Sequence, residues 1–200
     1  MWALYEAQEA MRLFPRALFA AASTASLAAC EVCIEPSYSG KATDEAYLAL
    51  LDVEKNATVD DGKAAQFTLP ASGSDVSLAG AGPAFEWTTG LMAAAPRAAP
   101  PASPARRVWA ELGYGSAHAH GTPMAGPGHL IRLRAQGMQC AVQHFTSNTF
   151  WNVSGSEWQR FLDFKNKPLT VEVLSGYFQS NRVTEGPFKP SSQLTLQILP

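Results

Sequence analysis

Apolar and polar residues alternate along much of the chain from residue 66 onward. Gln66-Phe67-Thr68-Leu69-Pro70 alternates and runs into a small-residue turn. Ala84-Phe85-Glu86-Trp87-Thr88 alternates again and sets Phe85 and Trp87 on one face. Val108, Ala110 and Leu112 keep the period, as do Ile131 and Leu133, then Leu169, Val171 and Val173, then Leu194, Leu196 and Ile198. Residues 140–146 add a seventh run. A period of two marks strands with one buried face, so a mainly β chain with antiparallel sheets is predicted.

Helical spacing occurs twice. Ala46, Leu50 and Val53, flanked by Tyr47 and Leu51, form an apolar stripe over about 44–55, and Thr43 with Asp44 and Glu45 supplies an N-cap and an acidic first turn. Between the late strands, Ser154 and Glu157 fit a capping box, and Val153 with Trp158 fits a hydrophobic staple. Trp158, Phe161 and Leu162 then predict the face of a short helix that packs down.

Composition narrows the functional classes. The 200 residues are 46% hydrophobic, enough for a core, and 16% charged with a formal charge of −2. No clustered basic face suggests nucleic acid as a partner. With 14 Pro and 15 Gly, the chain suits a turn-rich β protein. Residues 91–107, LMAAAPRAAPPASPARR, are a low-complexity loop.

Ahead of the strands, Met11-Arg12-Leu13-Phe14-Pro15-Arg16 is a basic stretch followed by the small, apolar ALFAAASTASLAA. That run has the length of a signal-peptide core and is short for a bilayer span. It ends in Leu27-Ala28-Ala29-Cys30, which resembles the lipobox of bacterial lipoproteins. The resemblance implies a signal peptide over 1–29, acylation of Cys30, and a lipid-anchored protein of the cell envelope, its mature part beginning Cys30-Glu31 and sorted to the outer membrane. Translation from Met11 rather than Met1 fits the leader better. In an oxidising compartment, Cys33 and Cys140 are then candidates for one disulfide. The alternative is two separate thiols.

"FTLPASGSDVSLAGAGPAFEWT" and "LTVEVLSGYF…GPFKPSSQLTLQIL" resemble the first and last strand pairs of fibronectin type III or immunoglobulin-like modules. The resemblance implies an antiparallel two-sheet sandwich over 63–200, preceded by a lipidated tether and short helix over 30–62. It supplies no function by itself.

Candidate chemistry centres on AHAHGTPMAGPGH, residues 117–129, which holds three of the four histidines. His118 and His120 in a His-x-His arrangement, with Met124 and His129, offer nitrogen and thioether donors suited to copper or zinc. Against a metal, three glycines and two prolines leave their geometry open, and no Asp or Glu lies between 112 and 156. Cys140 and His144 share a strand face, but no methionine follows them, so a cupredoxin-like centre is not expected. No Gly-x-Ser-x-Gly elbow, phosphate loop or His-Glu-x-x-His occurs, and the carboxylates are scattered singly. The expectation is a non-enzymatic binding or structural module for an envelope protein or polysaccharide, metal handling being the alternative.

Overall fold

A computed structural model describes residue 33 and residues 35–91 and 122–200. The leader, Cys30, most of the alanine- and proline-rich stretch, the run around Val108, and His118 and His120 lie outside the described residues.

The protein is mainly β, with two sheets. The strands are β1 (Ser37–Ser39), β2 (Thr58–Val59), β3 (Gln66–Leu69), β4 (Asp75–Ser77), β5 (Ala84–Thr88), β6 (Gly126–Ala135), β7 (Val142–Thr146), β8 (Phe150–Asn152), β9 (Pro168–Gln179), β10 (Arg182–Lys189) and β11 (Leu194–Leu199). Helix α1 spans Asp44–Val53 and helix α2 spans Gly155–Gln159.

β9 is the spine of the larger sheet. It pairs with β6 along its whole length. On its other side it pairs with β10 through Ser175–Gln179 and with β11 through Pro168–Val171. β7 follows β6, and β1, β2 and β4 add parallel edges to β7, β10 and β11. The smaller sheet, β3–β5–β8, is antiparallel. The eight-stranded sheet is therefore mixed, and the assembly is not a clear fibronectin III or immunoglobulin sandwich. The physical reason lies in the three parallel edges: they are two or three residues long, too short to display an alternation.

Ile131, Leu133, Val171, Val173, Leu196 and Ile198 meet Phe85, Trp87 and Trp151 of the smaller sheet in the main core. The opposite face is also covered over part of its length. Ala46 and Leu50 of α1 pack there with Leu130, Phe145, Leu174 and Phe178. One face of β6 and β9 is thus buried under a sheet and the other under a helix, which explains the unbroken burial of Gly128–Ile131 and Val173–Gly176. Gly128 permits this closeness: a Cβ there would stand 2.5 Å from Met124 Cε and 2.6 Å from Phe178 Cε2.

α1 starts where the sequence predicts. The Thr43 side chain accepts the Ala46 N–H at 3.2 Å. Behind the helix, a 3-10 turn places Glu54 in a bidentate ion pair with Arg132 on β6. α2 carries the full capping box between Ser154 and Glu157, with Val153 and Trp158 both buried in the main core. Leu162 departs from the predicted face and stands 46% exposed. The α-helix stops at Gln159, so the four-residue spacing no longer applies, and Phe164 packs on the core instead. The segment before α1, expected to be a tether, supplies β1.

Candidate functional site

Four polar side chains are buried in the described core: His129, His144, Thr146 and Ser175. All four project from the larger sheet toward the smaller one. His129 is opposite Thr146 on one side and Ser175 on the other. His129 has Trp87 edge-on at 5.7 Å, and His144 lies flat on Trp151, with ring centroids 4.6 Å apart and planes within 2°. Burial pushes both imidazoles down to about 4, a carboxylate nearby pulling His144 the other way. Both are neutral at pH 7.

His129 is a core histidine. Its Nδ1 is 2.9 Å from Ser175 Oγ, which also accepts the Ala65 N–H at 3.0 Å. Its Nε2 and the Trp87 Nε1 have no hydrogen-bond partner among the described residues. Met124, fully buried, sits in the cluster beneath α1, on the other side of the sheet from His129. The structure does not bring Met124 and His129 together, and His118 and His120 lie outside the described residues. Among the described residues, no group of three or more His, Cys, Asp or Glu is disposed to hold a metal.

His144 instead opens onto a cleft of about 670 Å³, walled by β1, β7, β8 and α2. β1 owes its position to its covalent and polar ties. Cys33 and Cys140 form a disulfide with their Cα atoms 5.3 Å apart, joining the residues just before β1 and β7. From there a chain of hydrogen bonds runs through the cleft wall. Ser37 Oγ donates to Glu157 Oε1 at 2.6 Å, Ser37 Oγ lies 2.7 Å from His144 Nδ1, and Ser39 Oγ lies 2.9 Å from His144 Nε2.

The proton positions follow from the carboxylate. Burial pushes Glu157 up, but hydrogen bonds from Ser37 and Ser154 outweigh it and hold the group below the usual range. An ionised Glu157 only accepts, so Ser37 spends its proton there. Ser37 Oγ must then accept the His144 Nδ1–H, which leaves Nε2 as a lone pair aimed at Ser39. Ser39 Oγ donates to Thr146 Oγ1 at 2.7 Å, and Thr146 Oγ1 also accepts the Asn148 N–H.

The rest of the cleft mixes apolar groups, among them Pro36, Val142 and Phe150, with polar ones. Phe150 is 52% exposed at the rim, and Asn148, Asn152 and Arg160 also line the cleft. The sequence pattern misses this constellation. It marks Glu157 as a capping residue and His144 as a partner of Cys140, while Ser37 and Ser39 carry no signal of their own. Comparison of the chain with protein-family models, curated proteins and solved structures finds no match.

Proposed function

We propose that the protein is a lipid-anchored module of the bacterial envelope that binds a saccharide, such as an envelope polysaccharide, in the cleft between β1, β7, β8 and α2. The cleft carries this reading. Phe150 offers an exposed ring against which the apolar face of a sugar can stack. Asn148 and Asn152 offer amide donors and acceptors, and Glu35, Glu157 and Arg160 add two negative charges and one positive. An exposed aromatic ring flanked by amides, hydroxyls and a few charges suits a ligand with both an apolar face and many hydroxyls, such as a sugar.

The envelope assignment is supported by the lipobox-like Leu27-Ala28-Ala29-Cys30 and by the pairing of the other two cysteines, which befits an oxidising compartment. Calorimetric titration of the protein with soluble envelope polysaccharide fragments tests the cleft. Binding that weakens at least tenfold in Phe150→Ala, at unchanged melting temperature, is expected. No binding, or binding indifferent to Phe150, overturns the saccharide reading. Metabolic labelling with an alkyne fatty acid tests the anchor: label on the protein, lost in Cys30→Ala, is expected, and its absence overturns acylation.

A further inference from the structure

We propose that the cleft also cleaves carboxylic esters, with Ser39 as nucleophile and His144 as its base. The inference rests on the cleft being a ligand site, and its natural substrate would be an ester-bearing saccharide. Three observations carry it. Ser39 lines the cleft, half-buried, with its hydroxyl 2.9 Å from His144 Nε2. The Glu157–Ser37 pair fixes the tautomer that leaves Nε2 free to take a proton. Trp151 clamps the imidazole plane by stacking, so the ring cannot swing away from Ser39. A hydroxyl, a base within reach and a third group orienting that base are what activation of a serine requires. Here a second hydroxyl, Ser37, stands between the imidazole and the carboxylate.

Each step balances without an added cofactor. Ser39 Oγ bonds to the ester carbonyl carbon while His144 Nε2 takes the Ser39 proton. Collapse of the tetrahedral species breaks the bond to the alcohol oxygen, which leaves with that proton. Water then attacks the acyl-serine, passing a proton to Nε2 that returns to Ser39 as the carboxylic acid departs. Nδ1 keeps its proton throughout, and the transient imidazolium faces Glu157 through Ser37. Ser37 is thus a positioning residue. In the resting structure Ser39 donates to Thr146 Oγ1 at 2.7 Å, so its hydroxyl must rotate from Thr146 to His144 Nε2 before attack.

The same cleft contains its own control, since Ser154 and Ser156 line it and neither has an imidazole partner among its hydrogen bonds. The experiment is to treat the full chain with a fluorophosphonate–biotin probe and map the modified peptide by mass spectrometry, with 4-nitrophenyl acetate turnover alongside. Modification of Ser39 at least a hundredfold faster than of Ser154 or Ser156 is expected. Ser39→Ala should abolish turnover. Ser37→Ala should slow Ser39 labelling at least tenfold and Ser37→Thr should restore it, a rescue that a purely structural hydroxyl would not show in the labelling rate of a folded protein. Folding of each variant is read separately by thermal melt. If folded wild-type protein labels Ser39 no faster than Ser154 and Ser156, the nucleophile assignment falls, whatever the saccharide titration shows. If Ser39 labels selectively but no saccharide binds, the ester chemistry stands and the saccharide reading falls.

Discussion

Removing the Cys33–Cys140 bridge should cost more stability than any other covalent change to the described fold. The bridge closes a loop with a sequence separation of 107. In the chain-entropy account, cross-linking a loop of that size removes about 16 cal/mol/K from the unfolded ensemble, or about 4.8 kcal/mol at 25 °C. The folded state has little to lose in return. β1 keeps its ladder to β7, the Ser37 and Ser39 hydrogen bonds, and the edge contacts of Tyr38 with Tyr47 and Phe145. The 137 described residues unfold with an entropy of about 0.29 kcal/mol/K near the midpoint, so the loss should lower Tm by about 17 °C. The variant is Cys33→Ala with Cys140→Ala, which leaves neither thiol unpaired. Urea unfolding followed by tryptophan fluorescence gives the stability, and calorimetry gives Tm. The urea m-value should also rise, because the uncrosslinked unfolded chain exposes more surface. A loss under 1 kcal/mol with an unchanged m-value would refute the reasoning, since the unfolded chain would then not be restrained by the bridge.

Two further outcomes follow from the buried polar row and from the contact between β6 and β9. His129 is neutral when folded, held down to about 4, whereas its ordinary value is 6.5, so the unfolded chain binds the extra proton and stability falls as pH drops from about 6.5 toward 4. Between pH 7 and pH 5 this imidazole alone should remove about 2 kcal/mol, and His144 acts in the same direction. Glu157, depressed below 4.5, keeps most of its stabilising contribution down to pH 5 and loses it at lower pH, so the histidines dominate this interval. Urea midpoints at the two pH values check it, and a flat response would contradict neutral burial. Gly128→Ala should cost about 2 kcal/mol by overpacking against Met124 and Phe178, both fully buried. A variant melting with the wild type would show that this face of the sheet is looser than its contacts imply.

Much of the fold is legible where a strand is long and half-buried. β5 alternates without exception, and Phe85 and Trp87 lie inward as their period demands. β11 and the first half of β9 behave likewise. The rule fails for the second half of β9, where Val173 through Gly176 are buried in succession because α1 covers the far face. The cap of α1 at Thr43 is legible from local chemistry, since it needs only three residues of sequence. The sheet that α1 would cover is not, because the stripe of α1 says that it packs and not on what. The parallel edges fail for a different reason. β1, β2 and β4 gain their pairing from partners more than a hundred residues away, and nothing local in two or three residues encodes it.

The cysteines carry the missing information for one of those edges. Ser37 pairs with His144 and Ser39 with Thr146, the same separation of 107 that divides Cys33 from Cys140. A disulfide between the approaches to two neighbouring parallel strands therefore fixes their register as well as their proximity. Counting four residues on from each cysteine reaches Ser37 and His144, and counting six reaches Ser39 and Thr146. Register matters here more than in an ordinary edge strand, because a slip of one residue would carry both serines to the opposite face and bring Tyr38 toward His144. The three-residue ladder is short, so the bridge and the Ser37–Glu157 bond are the two features that can hold the chain from Glu157 to Ser39 in register. Ser39 labelling in the double cysteine variant separates alignment from mere attachment. A folded variant whose Ser39 loses its selectivity for the probe would show that the bridge sets the register. Selectivity retained in full would assign that task to the Ser37–Glu157 bond alone.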